Sequence, residues 1–346
     1  MARTMQALRL MAERELALVE MPVPPPPGPD EVQVRVRAVA LNHIDLWGFR
    51  GMAFAKRTLP LTVGVEAVGE VVAAGADVRQ LAPGARVALY GGRTCGVCPA
   101  CRQGRDNLCA DVAGIMGFHL DGFARTFCNL PARLCVPVPD AVGWHDAACA
   151  PLTFATVEHM LFDNARLMEG EWVLIHAAGS GIGSAAIRLA KDQGATVIAT
   201  AGDDEKLEKA RALGADHVVN YRTQRFESMA RRLTGKRGVD VVFEHVGPDT
   251  WAGSLLALAR GGRLVTCGST SGIQAETNLF QVFQQQLRIF GSFGATRRNV
   301  RDVLARMATG RVPAVIDSVI PLDRWSDGLA RLAERRVFGK IVVTIP

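Results

Sequence analysis

The chain has 346 residues, 49% of them apolar and 21% charged, which is enough for two domains with large buried cores. Its formal net charge of +6 rests on arginines spread along the chain, without the dense basic block or aromatic interleaving of a nucleic-acid reader. A solvated surface or an anionic small-molecule ligand accounts for that bias, and no nucleic-acid partner is expected. No run approaches the roughly twenty apolar residues of a membrane span, and MARTMQALRLMAEREL lacks the charged-then-apolar pattern of a signal peptide, so no membrane partner and a cytoplasmic location are expected.

Up to about residue 150 the pattern is short and β-like. PVPPPPGPD is a rigid non-helical connector, EVQVRVRAVAL alternates with period two, and GEVVAAG and ARVALYGG are brief apolar strands, together predicting an all-β, barrel-like domain. From about residue 170 strands and helices alternate: WVLIHAA, IGSAAIRLAKDQG, TVIATA, DEKLEKARALG, HVVNY, a helix near 224–233, VDVVFEHV, a helix over 249–259, GRLVTCGS and RIFGSF. That alternation predicts a doubly wound parallel sheet with helices on both faces. NVRDVLARMATG then reads as a helix and GKIVVTIP as a closing strand, and the last fifty residues are expected to return to the first domain.

Two motifs carry chemistry. In TCGVCPACRQGRDNLCA, Cys95, Cys98, Cys101 and Cys109 stand in a C-x2-C-x2-C-x7-C array, the spacing of four thiolates closing on one zinc ion. The other four cysteines are scattered, which argues for reduced thiols rather than a disulfide framework. Between WVLIHAA and its helix lies AAGSGIG, in the strand-turn-helix context a dinucleotide pyrophosphate requires, so Ala178, Gly179, Ser180, Gly181, Ile182 and Gly183 are cofactor-binding candidates. A strict G-x-G-x-x-G does not fit, because Ala178 and Ser180 hold the first two glycine positions.

The second strand ends at Ala201-Gly202, where an enzyme for the unphosphorylated cofactor usually places a carboxylate. Asp203 follows too late and is expected to cap the next helix. Gly202, Lys206, Tyr221 and Arg222 then favour NADPH over NADH, through cationic and hydroxyl donors to a phosphate. Val246, Gly247, Gly268, Ser269 and Thr270 are read as the ends of the fourth and fifth strands, where backbone borders the nicotinamide.

With these residues on view, the chain resembles the medium-chain dehydrogenase/reductase superfamily along nearly its whole length: cysteine lobe, AAGSGIGSAAI, ALGADHVVNY and a terminal FGKIVV. The resemblance implies a GroES-like β-barrel-type catalytic domain over 1–150 and 297–346, with a structural zinc lobe at 92–112 and one zinc per chain. It also implies a Rossmann NADP-binding domain over 151–296. Lys340 of FGKIVV is also taken as a cofactor-contacting candidate. Zinc alcohol dehydrogenases of the superfamily hold a catalytic metal on an early C-x-[ST]-D cysteine, a G-H-E histidine and a later thiolate. Here the matching segments read Asn42-His43-Ile44-Asp45, Gly64-Val65-Glu66 and, for the third position, Thr153 to Ala155, with no cysteine between Cys149 and Cys267. A Lewis-acid site needs at least three protein ligands, and the usual set is missing.

ALNHIDLWGFRG, VGVEAVGEV and PLTFATVEHML are similar to segments of the NADPH:quinone oxidoreductase branch, which delivers hydride to electron-poor double bonds. That implies an NADPH-dependent reductase of quinones, enones or enoyl-thioesters, with an alcohol dehydrogenase of unorthodox site, or a cofactor-binding protein without turnover, as alternatives. Asn42 is the first candidate to orient a substrate carbonyl or the nicotinamide amide, against satisfaction of its own backbone. Thr156 aligns with a threonine that contacts the carboxamide. Asp45 and Glu66 are candidates to steer Asn42, or with it to trap a metal through oxygen ligands. His43 and His159 are the histidines placed to donate a proton, and Trp47 and Phe49 are candidate substrate walls. A homodimer or homotetramer pairing near RIFGSF is implied by the resemblance.

Overall fold

A computed structural model describes residues 3–51 and 57–346. The chain divides into two compact units, one of residues 1–155 with 295–346, the other of residues 156–294. No helix among the described residues is long and apolar enough to cross a membrane.

In the first unit the strand Glu31–Ala40 is the axis of a seven-stranded sheet. Its alternation puts Val32, Val34 and Val36 wholly inside while Gln33, Arg35 and Arg37 face the other side. Strand Ala67–Ala74 pairs antiparallel along one side of it. On its other side Phe127–Pro131 pairs antiparallel with residues 31–35, and beyond it lies the closing strand Lys340–Thr344, in a register that sets Val342 opposite Ala40 and Thr344 opposite Ala38. The same register carries Lys340 opposite Asn42, the residue that opens the helix His43–Phe49. The C-terminal segment does not add its strand by a hairpin alone. Ile316–Pro321 runs parallel to the closing strand, with the helix Trp325–Ala333 and its fully buried Trp325 between them.

The second unit holds six parallel strands in spatial order third, second, first, fourth, fifth, sixth, starting from His217–Asn220 and ending at Arg288–Gly291. The order reverses between Trp172–Ile175 and Val239–Glu244, and ligands of such sheets bind in the crevice beyond the strand ends at that point. The strands and helices read from the sequence are present, with shifted ends. The fourth strand stops at Glu244, two residues before Val246, and the fifth runs from Leu258 to Thr266 rather than into Gly268. The fifth starts early because its first residues pair across an irregularity at Gly261, whose φ of +75° favours glycine.

Between residues 150 and 164 the helix winds as π-turn, α-turn and π-turn (Ala150–Phe154, Ala155–Glu158, His159–Asn164). Such widened turns recur at functional sites, and the chain passes from the first unit to the second inside this helix.

Candidate active site

Asn42, Glu66, Thr153 and Lys340, from four separate segments of the first unit, converge in one buried network. Glu66 is fully buried and accepts five hydrogen bonds. Its Oε1 takes the backbone N–H groups of Leu152 (2.8 Å) and Thr153 (2.6 Å), and its Oε2 takes the Thr153 hydroxyl (2.9 Å), the Asn42 amide (2.9 Å) and the Lys340 ammonium (3.1 Å). The two backbone donors open the helix at residue 150, where N–H groups lack intrahelical partners and a carboxylate meets the positive end of the dipole. Lys340, 3% exposed, spends its remaining protons on the Leu41 carbonyl (2.7 Å) and the Asn42 side-chain oxygen (2.8 Å).

An ammonium has three donors, and all three of Lys340's are used on Leu41, Asn42 and Glu66, where the closing strand's register aims them. Asn42 is equally full. Its Nδ2 donates to the Ala40 carbonyl and Glu66, and its Oδ1 accepts from Lys340, with the Thr153 hydroxyl oxygen, whose proton goes to Glu66, 3.1 Å away. Of the three side chains read as able to trap a metal through oxygen, Asn42 and Glu66 thus face a fixed cation. Among the described residues the cysteine quartet is the one group of three or more His, Cys, Asp or Glu side chains within metal-holding reach.

Asp45 caps the same helix from within, its Oδ2 accepting the Asn42 N–H at 2.8 Å. Burial pushes its carboxyl from 3.8 up to about 7, Glu66 adds to the rise, and the Asn42 N–H and the Lys340 charge oppose it. The folded carboxyl then keeps its proton up to about pH 7, whereas the unfolded one releases it near 3.8, so stability falls as pH rises through that window. The loss amounts to about 4 kcal/mol at most. Asp45→Asn is expected to flatten the slope of unfolding free energy between pH 4 and 7 in urea titrations; an unchanged slope would show that Asp45 does not titrate there.

In the zinc lobe the four cysteine Sγ atoms lie within 4.8 Å of one another, with Cys95 4.0 Å from Cys101 and 3.5 Å from Cys109. Tetrahedral Zn–S bonds of about 2.3 Å put sulfurs about 3.8 Å apart, so the quartet fits zinc with every position filled by protein. Backbone N–H groups of Cys101 and Ala110 draw the Cys98 thiol down to about 6, while burial pushes Cys101 up to about 12.

In the second unit the turn between strand Trp172–Ile175 and helix Gly181–Asp192 has the expected strand-turn-helix shape. Ser180 caps the helix Gly181–Asp192, its hydroxyl accepting the Gly183 N–H at 2.9 Å. Gly183 has no room for a side chain, since a Cβ there would stand 2.3 Å from the Ala177 carbonyl oxygen. Ala178 and Gly183 are buried beside the half-exposed Gly181 and Ile182. Asp203 caps its helix through the Lys206 N–H at 2.8 Å, as its position implied. At the second strand's tip a Cβ on Gly202 would stand 2.6 Å from the Tyr221 hydroxyl and 3.2 Å from Arg222 Nε, so those three residues share one spot. Lys206 Nζ lies 3.6 Å from Asp203. Thr156 is buried. His159 pairs with Asp163 at 2.8 Å, His43 is exposed, and Trp47 and Phe49 are half-buried. Ser271 donates to the Val246 carbonyl (2.7 Å from its backbone N–H, 2.8 Å from its hydroxyl), tying the segment 268–272 to the loop 245–247.

Residues 28–140 match the family model of the alcohol dehydrogenase GroES-like domain, and residues 181–309 that of the zinc-binding dehydrogenases. The chain is 31% identical over 314 residues to an alcohol dehydrogenase of Geobacillus stearothermophilus, covering 89% of this chain and 90% of that one. It is also 31% identical over 308 residues to an acryloyl-coenzyme A reductase of Metallosphaera sedula, covering 88% and 89%. A solved NAD-dependent alcohol dehydrogenase superposes with a TM-score of 0.94 at 40% identity, covering 99% of this chain and 100% of that one. The chain belongs to the medium-chain dehydrogenase/reductase superfamily. Within it, the protein is an NAD(P)-dependent oxidoreductase.

Proposed function

We propose that this oxidoreductase reduces an activated C=C bond or a quinone with NADPH, without a catalytic metal. The observation that carries this reading is the Lys340 ammonium, held at 2.8 Å from Asn42 and 3.1 Å from Glu66 among the oxygens a cation would need. In the zinc enzymes that the chain resembles, a Lewis acid polarises the oxygen of a plain alcohol or aldehyde. A conjugated enone, enoyl-thioester or quinone already spreads developing charge onto its own carbonyl, so neutral hydrogen-bond donors suffice. The likeness to an acryloyl-coenzyme A reductase supports the same class.

In this reading Asn42 is a positioning residue: its filled amide fixes the start of the helix His43–Phe49 and with it Asp45, Trp47 and Phe49. Thr156 is assigned to the nicotinamide carboxamide. The turn 178–183, with Val246, Gly247, Gly268 and Ser269, holds the dinucleotide, which when bound supplies the hydride. Gly202, Tyr221 and Arg222 receive the 2′-phosphate, with Lys206 at its edge. The cysteine quartet holds one structural zinc, which fastens its lobe.

A second reading, oxidation of an alcohol with NAD, is favoured by the 40% identity to an NAD-dependent alcohol dehydrogenase. Turnover separates the two. Chelated enzyme is expected to consume NADPH with a quinone or enone panel and to leave NADP and NAD unreduced with primary and secondary alcohols. Activity confined to alcohols would reverse the assignment, and a clear preference for NADH would defeat the cofactor part of it.

The edge strand Arg288–Gly291 is paired on one side only, and Leu279, Phe280, Phe283, Ile289 and Phe293 beside it are exposed. An unpaired apolar edge is a template for a second copy, so a homodimer or homotetramer is expected. Light scattering should show Ile289→Lys shifted toward monomer; an unshifted mass would place the interface elsewhere.

A further inference from the structure

Three ionisable side chains sit inside otherwise apolar strands of the second unit: His176 at the end of WVLIH, and Glu244 and His245 at the end of VDVVFEH. All three are buried, with Glu244 fully so. Burial holds both His176 and His245 below the ordinary histidine value and therefore neutral. Burial works against the Glu244 charge, and hydrogen bonds from Ser254, the Val246 N–H and Thr250 hold the carboxyl in its ionised form.

Donor bookkeeping then fixes every proton. Glu244, ionised, only accepts. Its Oε2 lies 2.8 Å from both the Ser254 and the Thr250 hydroxyls, so Ser254's single proton goes to Glu244. The Ser254 oxygen, 2.9 Å from His176 Nε2, must accept from it, which places the ring proton on Nε2. His176 Nδ1 is left as an acceptor for the Thr200 hydroxyl at 3.1 Å. The result is a one-way chain, Thr200 to His176 to Ser254 to Glu244. His245 Nε2 donates to the His176 carbonyl at 3.0 Å beside it.

The other carboxylate oxygen, Oε1, accepts the backbone N–H groups of Val246 (2.6 Å) and Gly247 (3.1 Å). Those bonds turn the chain out of the sheet at Glu244, where Gly247 takes a φ of +101°. One buried network therefore reaches from His176, which immediately precedes the phosphate-binding turn, to the 246–247 loop. It crosses the second strand at Thr200 and the helix Pro248–Ala257 at Ser254 on the way.

We propose that Glu244 and His176 are positioning residues for the dinucleotide, holding the phosphate-binding turn and the 245–247 loop at a fixed separation before the cofactor arrives. A preorganised site spares the cofactor the cost of ordering two loops. The inference rests on the assignment of 178–183 and 246–247 to cofactor binding. It goes beyond that assignment by giving buried residues that touch no ligand a measurable share of the affinity.

Glu244→Gln tests it. The Gln carbonyl can keep the Val246 and Gly247 bonds while its NH2 donates to Ser254 and Thr250. The chain then reverses, and the His176 proton moves from Nε2 to Nδ1. Fluorescence titration with NADPH and NADH is expected to show the favoured cofactor bound about tenfold more weakly by Glu244→Gln, a neutral amide replacing charge-assisted bonds. Long-range 1H–15N spectra should show the tautomer switched. Ser254→Ala, a smaller change that cuts the chain between His176 and Glu244, is expected to weaken binding about threefold. Gly181→Asp, which sets a carboxylate at the helix start and reports on the turn itself, should abolish binding. Wild-type affinity in both Glu244→Gln and Ser254→Ala would overturn the inference while Gly181→Asp still fails to bind. Wild-type affinity in Gly181→Asp would instead overturn the assignment of the turn, and the inference with it.

Discussion

Replacing Glu66 with alanine should destabilise the protein by about 3–5 kcal/mol, the cost of breaking a buried ion pair from one side. The carboxylate is fully buried and takes five donors, so its loss strands the Lys340 ammonium inside the protein and orphans the Leu152 and Thr153 N–H groups. Lys340→Met is the milder cut. It leaves Glu66 with four donors, two of them backbone N–H groups, and should cost about half as much. If the network is an ion pair in a shell of hydrogen bonds, Glu66→Gln combined with Lys340→Met should recover much of the loss, because a neutral pair needs no compensation for buried charge. Urea unfolding at constant m-value reads all three. A loss below about 1 kcal/mol for Glu66→Ala would mean that the network contributes little to holding the site.

The second large effect is expected at the phosphate-binding turn. In Gly183→Ala the new methyl would sit 2.3 Å from the Ala177 carbonyl oxygen and 2.9 Å from Ser180 Oγ. The nearest atom is backbone rather than a flexible side chain, so the turn itself must move, at about 2 kcal/mol. The movement also displaces the Ser180 cap and the N–H groups that face a pyrophosphate. Dinucleotide affinity should fall about thirtyfold or more, while far-UV circular dichroism stays that of the parent. Unchanged affinity with a folded protein would place the pyrophosphate elsewhere.

Features fixed by local spacing were legible in the sequence. Four thiols within fifteen residues close on one point whatever the rest of the chain does, and Asp203 caps the helix its position announces. The period-two pattern of residues 31–40 translates directly into its buried face. What escaped depends on long-range register. Lys340 meets Asn42 across 298 positions of sequence, through an antiparallel pairing that no local pattern encodes. The available signal was a lone lysine at the head of the apolar run KIVVT, and likewise Glu244 and His176 are charged or polar residues closing apolar strands. Such residues are seldom buried without partners. Read that way they announce a network, although the sequence does not say with whom. The strand end at Glu244 was missed for the same reason: its side chain, rather than a turn residue, takes the next two backbone N–H groups.

The proposal turns on Asn42 and Glu66 holding the Lys340 ammonium rather than a catalytic metal. The most direct test is the metal content of purified protein together with anomalous scattering from its crystals. One zinc per chain, at Cys95, Cys98, Cys101 and Cys109 and lost in Cys101→Ser, is the predicted result. A second transition metal beside Asn42 and Glu66 would contradict it.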